Sequence, residues 1–221
     1  MNAFTTEIAN DVAIIRIDDG KANAVSQAFL SDMHAALDRA ETEAKAVVII
    51  GRPERFSAGF DLKVMREDPS AAAKLVNDGG KLMLRIFEHK QPVVAACTGH
   101  ALAAGALLLL SCDTRIGAAG DFKIGLNETA IGMTLPQFGI ELPRARLKQD
   151  RFTEAVIQAK IFSPDEAKDA GFLDIVTTPE QVEASAIAAA EMLAQLPGGA
   201  YAGNKRLIRK PAIDAIRASL V

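Results

Sequence analysis

Two cysteines in 221 residues leave no room for a disulfide framework. Cys97 and Cys112 lie in apolar stretches without CxxC spacing, so they read as small buried hydrophobes in a reducing compartment, not as redox or zinc ligands. Positive charge is not in excess either. The 25 lysines and arginines face 28 aspartates and glutamates, a formal net charge of -3, and no general basic field exists to gather nucleic acid. Long apolar runs are missing: the longest, Ala101 to Leu110, contains Gly105 and falls well short of the ~20 residues that span a bilayer. Met1 to Asn10 carries Glu7 and no apolar run after a basic patch, which argues against a secretory signal and for a cytoplasmic protein. There is no low-complexity segment, no exact repeat of fixed period, and no GxGxxG or Walker sequence for a phosphate-cradling loop. His34, His89 and His100 sit neither in HExxH nor beside a cysteine pair and read as surface or packing histidines, so no metal is expected.

What is present is a globular composition, 49% hydrophobic and 24% charged, long enough to bury a substantial core in one domain. Its hydrophobic period alternates. Val12 to Ile17 is β-branched and runs into the turn Asp18-Asp19-Gly20, whereas Val25, Phe29, Met33, Ala36, Leu37 and Ala40 recur at three and four and predict a helix over Ser26 to Ala44. Ala46 to Ile50 and Val93 to Cys97 are short apolar runs of buried-strand type, separated by a helical pattern over Ala71 to His89. Ala103 to Ser111, apolar all round, predicts a wholly buried helix, followed by strands at Thr114 to Ala118 and Phe122 to Ile124. Ser163-Pro164-Asp165-Glu166 opens a helix that Gly171 ends; Leu173 to Val176 is a short strand and Pro179 to Leu196 an alanine-rich helix. After Pro197-Gly198-Gly199 a last helix follows, which Pro211 should interrupt or kink. This alternation indicates an α/β core with much parallel pairing, and residues 197–199 are its one candidate boundary.

Ser57, in Arg55-Phe56-Ser57-Ala58-Gly59, fails as a hydrolase nucleophile because the elbow needs glycine where Arg55 stands. Three other segments matter more in order and spacing than singly: Phe56-Ser57-Ala58-Gly59-Phe60-Asp61-Leu62, Thr98-Gly99-His100-Ala101-Leu102-Ala103-Ala104-Gly105, and Ile124-Gly125-Leu126-Asn127-Glu128-Thr129. Taken alone, Gly59 and Gly105 need only permit tight turns or close packing, and Glu128 could be a surface carboxylate capping a turn. Together the three segments resemble the signature of the crotonase (enoyl-CoA hydratase/isomerase) superfamily, and the resemblance runs from about Val12 to Leu207.

The resemblance implies a crotonase-like spiral of ββα units over residues 1–196 holding an acyl-CoA site, with a C-terminal helical segment, 197–221, that is short for the family. It implies that the backbone N–H groups of Phe60 and Ala104 form an oxyanion hole for the thioester oxygen, with Ala103 and Ala104 standing where glycines are common. Such paired donors meet charge developing on one oxygen without reorganising, and losing one costs roughly 100- to 1000-fold in rate. Family hydratases use two glutamates, but the first position here is Leu107, which can neither activate water nor deliver a proton. The second remains acidic as Glu128, in a segment similar to that around the single catalytic glutamate of Δ3,Δ2-enoyl-CoA isomerases. The implied activity is therefore movement of a 3-enoyl-CoA double bond to the 2-trans position; another crotonase-type lyase, a hydratase or a thioester hydrolase, and a non-catalytic acyl-CoA-binding subunit are the alternatives.

By position, Ser57 and Ala58 would meet the adenine end of coenzyme A through backbone atoms, Asp61 and Lys63, flanking the first donor, would be its further contacts, and Leu107, Leu126 and Met133 would line the substrate pocket. No separate cofactor is expected, because coenzyme A is part of the substrate. The family pattern implies a homotrimer or hexamer and no membrane partner. Lys205, Arg206, Arg209 and Lys210 fall on one helical face, a patch that reads as solvated surface, as a contact for coenzyme A phosphates, or, last, as a nucleic-acid site.

Overall fold

A computed structural model describes residues 3–221, so Met1 and Asn2 of the expected leader-free start lie outside the described residues. In chain order the elements are β1 (Phe4–Ala9), β2 (Val12–Ile17), α1 (Gln27–Glu43), β3 (Ala46–Ile50), β4 (Glu54–Ser57), α2 (Leu62–Glu67), α3 (Pro69–Phe87), β5 (Val93–Cys97), β6 (Gly99–Leu102), α4 (Ala104–Ser111), β7 (Thr114–Ala118), β8 (Ile124–Gly125), α5 (Gln137–Arg146), α6 (Pro164–Ala170), β9 (Ile175–Thr177), α7 (Val182–Ala194) and α8 (Gly198–Ser219). Six strands pair in the order β1-β2-β3-β5-β7-β9, antiparallel only at β1–β2, and a second sheet pairs β4-β6-β8, all parallel. Each of β3–β4, β5–β6 and β7–β8 places one strand in the large sheet and the next in the small one, which is the expected ββα spiral.

Every residue of β3 and β5 is buried because both faces of the large sheet are covered, so these strands read as unbroken apolar runs. On one face, Ile15, Val47, Ile49, Val93 and Ala95 meet α1, α3 and α4 in the main core. On the other, Val12, Ile14, Val48, Val94 and Ile116 pack against Val182, Ala186, Ala190 and Ala194 of α7, an i, i+4 stripe whose small side chains let the helix lie close. Burial pushes the thiols of Cys97 and Cys112 up to about 12, as expected of inert core residues.

Capping explains several ends. Ser26 caps α1 by accepting from Phe29 N–H at 3.2 Å, and Ser163 and Glu166 form a reciprocal capping box on α6, which Gly171 closes in the left-handed conformation. Two expected strands are shifted, since β8 is only Ile124–Gly125 and β9 begins at Ile175. The alanine-rich helix starts at Val182 after a 3-10 turn over Pro179–Gln181. Pro211 does not interrupt α8, which runs unbroken from Gly198 to Ser219; the proline lies on its exposed side, and the carbonyl it deprives of a donor, on Leu207, belongs to an exposed residue. Ile213 and Ile216 of α8 belong to the main core.

The basic patch on α8 divides. Arg206 and Lys210 are exposed, the latter paired with Asp214, whereas Lys205 and Arg209 turn inward onto Asp113 at 2.7 and 2.9 Å. Arg209 also stacks on Phe87, 4.3 Å from the ring centroid, and donates to the Phe87 carbonyl. Burial lowers the Lys205 pKa, with Asp113 opposing the shift. These two cations therefore clamp α8 to the strand ends and are not available to coenzyme A phosphates or nucleic acid. Among the described residues no helix is long and apolar enough to cross a membrane.

Two stability outcomes follow from these contacts. Replacing Asp113 with Ala strands two buried cations and should cost about 3–5 kcal/mol in urea denaturation, with part recovered when Lys205→Met is added. Ala103, the residue before α4, has φ 51 and ψ -126, a conformation natural to glycine, so Ala103→Gly should stabilise the fold by about 1 kcal/mol in the same assay.

Candidate active site

The small sheet brings the three motif segments together. Its strands are parallel and adjacent, so β4, β6 and β8 all end at one edge, where the chain continues as Ala58-Gly59-Phe60, Ala103-Ala104 and Leu126-Asn127-Glu128. Carboxyl ends of parallel strands are the usual place for a ligand in α/β sheets, because the turns there are free of ladder pairing. Ala103 N–H still donates to Gly125 O at 3.0 Å, which ties the second segment to the third.

The first and second segments touch backbone to backbone. A Cβ on Gly59, which has φ +95, would fall 2.9 Å from Ala103 Cβ and 3.2 Å from Ala104 N; one on Gly105 would fall 2.2 Å from Ser57 O. Only glycine fits at either point. The Gly59–Phe60 peptide is held by its oxygen, which accepts from Val25 N–H at 2.8 Å, and Asp61 N–H donates to Val25 O at 3.1 Å. A trans peptide directs its N–H opposite to its C=O, so Phe60 N–H points away from Val25. Likewise Ala103 O accepts from Ala106 and Leu107 inside α4, which leaves Ala104 N–H directed out of the helix N-terminus, where the helix dipole adds positive potential. Among the described residues, neither Phe60 N–H nor Ala104 N–H donates to another protein group.

A buried residue not singled out by the sequence supports the first segment. Asn23 is 0% exposed and at φ 50; its Nδ2 donates to Ile17 O at 2.9 Å and to Arg55 O and Phe56 O at 3.2 Å, and its Oδ1 accepts from Asp19 N–H. Its carbonyl accepts from Ser57 Oγ at 2.8 Å, and that hydroxyl accepts from Gly59 N–H at 3.3 Å. The available signal was an amide side chain in Lys21-Ala22-Asn23-Ala24-Val25 just after a turn, a residue type that tolerates left-handed backbone and can join several carbonyls.

Glu128 is 8% exposed and makes no side-chain cap, so it is not the solvated turn carboxylate that composition alone would suggest. Its Oε2 and the neighbouring Asn127 Oδ1 are buried without a hydrogen-bond partner. Desolvation raises the Glu128 pKa, opposed only by a bond to its own backbone N–H. Leu107 and Leu126 are each 1% exposed in the main core, whereas Met133, expected in the pocket, is 38% exposed just beyond Gly132.

The expected coenzyme contacts fare unequally. Ser57 is wholly buried with its hydroxyl engaged internally, so it braces the turn and presents no surface to coenzyme A. Ala58 is exposed, although its N–H is committed to Ala22 O. Asp61 caps α2 by accepting from Lys63 N–H at 2.9 Å, and the Lys63 side chain is exposed. Among the described residues no three His, Cys, Asp or Glu side chains are grouped to hold a metal ion. Open grooves of about 330 and 430 Å3 lie elsewhere, the first against Lys90, Leu193 and Tyr201, the second along Leu207, Lys210 and Ile213. Neither is lined by a residue of the three segments.

Known proteins resemble this chain in sequence and fold. The enoyl-CoA hydratase/isomerase family profile matches residues 7–219. Human mitochondrial enoyl-CoA delta isomerase 1 is 31% identical over 90% of this chain and 68% of its own length, and a probable enoyl-CoA hydratase of Bacillus subtilis is 35% identical over 79% and 69%. The crystal structure of an enoyl-CoA hydratase/isomerase family protein from Pseudomonas syringae superposes with a TM-score of 0.96 at 42% identity, covering 98% of this chain and 94% of the other. With the strand-end geometry and these likenesses in agreement, the chain belongs to the enoyl-CoA hydratase/isomerase family, within the crotonase superfamily.

Proposed function

We propose that this protein moves the double bond of a 3-enoyl-CoA to the 2-trans position, with Glu128 as its single proton shuttle. The observation that carries this reading is one buried carboxylate, its Oε2 without a hydrogen-bond partner, at the strand edge that also presents two unpaired N–H groups, with Leu107 where a second acid would stand.

The carboxylate of Glu128 takes a proton from C2 of the bound thioester. The electron pair passes into the carbonyl, and the oxygen that gains charge accepts from Phe60 N–H and Ala104 N–H. These donors are already fixed by Val25 and by the first turn of α4, so little reorganisation accompanies charge development, and each contributes about 3 kcal/mol. The proton then returns from Glu128 to C4, the C3–C4 double bond is replaced by C2–C3, and the carboxylate is regenerated. Desolvation makes the carboxylate a stronger base than a solvated glutamate. An aliphatic residue at 107 activates no water, which leaves the conjugated product unhydrated. Coenzyme A enters as part of the substrate and no separate cofactor is required. Assembly as a trimer or a pair of trimers and a cytoplasmic setting belong to the same proposal.

Hydration is the second reading, favoured by the 35% identity with the Bacillus subtilis probable hydratase. Acid supplied from elsewhere would be needed. Robust hydration of crotonyl-CoA without isomerisation of 3-hexenoyl-CoA would select it, and acyl-CoA binding without turnover would instead select a non-catalytic subunit.

Glu128→Gln should lower kcat for 3-hexenoyl-CoA isomerisation by roughly 100- to 10,000-fold with KM little changed, followed as absorbance of the conjugated thioester. The same substitution should raise the melting temperature at pH 7. Because the folded-state pKa of Glu128 lies above its unfolded value, its contribution to stability is present below the ordinary glutamate pKa and is lost as pH rises through the raised value. The gap between variant and wild type should therefore close as pH falls to ~4, which melting curves across pH 4–8 would register.

A further inference from the structure

Helix α3 carries two consecutive glycines in its middle, Gly79 and Gly80, where helix propensity alone favours almost any other residue. The space above them is occupied. A Cβ on Gly79 would lie 2.5 Å from Cε1 and 2.6 Å from Cζ of Phe60, and one on Gly80 would lie 2.8 Å from both Phe138 Cδ1 and Leu220 Cδ2. The pair forms a notch, and the ring seated over Gly79 belongs to the residue whose N–H is the first candidate donor.

Gly59, immediately before Phe60, has φ +95 and no side chain, so the backbone there is intrinsically soft. The Val25 N–H bond fixes one end of the Gly59–Phe60 peptide. Asp61 N–H, which donates to Val25 O at 3.1 Å, holds the backbone on the other side of Phe60. The Phe60 ring supplies a further point of attachment on the far side of the Cα, against a helix that is itself buried at Leu75, Leu82, Ile86 and Phe87. Phe60 itself packs against the main core, as do Val64, Met65 and Val76.

We infer that Gly79 is a positioning residue: the notch it leaves in α3 seats the Phe60 ring and thereby sets the direction of the Phe60 N–H. This inference rests on the oxyanion role proposed above. A methyl at 79 would displace the ring by about 1 Å, an error that costs on the order of 100-fold when it reaches a reacting group.

The test is Gly79→Ala in the full chain, with Gly203→Ala, where a methyl would meet nothing within 4 Å, as the control for helix substitution. The readouts are kcat and KM for 3-hexenoyl-CoA and deuterium exchange at C2 of a saturated acyl-CoA, which needs base and oxyanion donors whichever reaction follows. Gly79→Ala should lose about 10- to 100-fold in kcat and in exchange rate with KM within about threefold, retain its helical circular dichroism, and recover part of the rate when Phe60→Leu replaces the ring with a smaller side chain. An unchanged kcat in an active wild-type background would mean that the ring swings aside without moving the donor, and would overturn the inference alone. A rate loss that Phe60→Leu does not relieve would also overturn it, by making the defect one of α3 and not of the contact. Wild type that neither exchanges nor isomerises would overturn the proposed function, and the positioning role with it.

Discussion

Two backbone segments meet with no side chain larger than the Ala103 methyl between them, and the rest of the site depends on that contact. Gly59 and Gly105 are the points of approach, and a methyl on Gly105 would collide with the Ser57 carbonyl. The contact brings a turn after one strand against the start of a helix after the next, so two peptide N–H groups are left without protein partners at one edge. Unpaired donors are ordinarily costly when shielded from water. Here they persist because each peptide is tied by its oxygen, to Val25 in one case and within α4 in the other, and cannot turn to find another acceptor.

Around this contact the structure accepts several local costs. Ala103 holds a backbone conformation suited to glycine, Glu128 is desolvated without a counter-ion, and α3 gives up helix propensity at two adjacent glycines. Such costs gathered at one edge are expected where chemistry, not packing, sets the geometry. They are tolerated because the surrounding scaffold is over-determined: a large sheet covered on both faces, and Asn23 joining β2 to β4 through the carbonyls of Ile17, Arg55 and Phe56.

Helix α8 illustrates how burial changes the meaning of a charge pattern. Four cations at i, i+1, i+4 and i+5 share a face by spacing, yet two of them face Asp113 inside the fold and two face water. The inward pair holds the last helix against β5 and the end of α4, and the outward pair contributes little to stability because solvent screens it.

Much of the scaffold was legible in the residues. The boundaries of β2, β3, β5 and β7 follow from β-branched and apolar runs, and the ends of α1 and α6 follow from Ser26, Ser163 and Gly171. These features are local: an alternating period or a capping side chain acts within one turn or one strand. The hairpin from β1 was missed although Asn10 and Asp11, both at positive φ, are apt residues for its turn, and α5 was hidden by Pro143 inside it. The spiral was legible only through the motif resemblance and not as a repeat, since β3, β5 and β7 begin at residues 46, 93 and 114, unequal intervals that no fixed period describes. Motif order placed Phe60, Ala104 and Glu128 on a list of candidates. Whether Glu128 was desolvated, whether Ser57 faced coenzyme or interior, and where Lys205 and Arg209 pointed were decided only by tertiary packing, because burial and partner choice depend on which distant segments close over a residue.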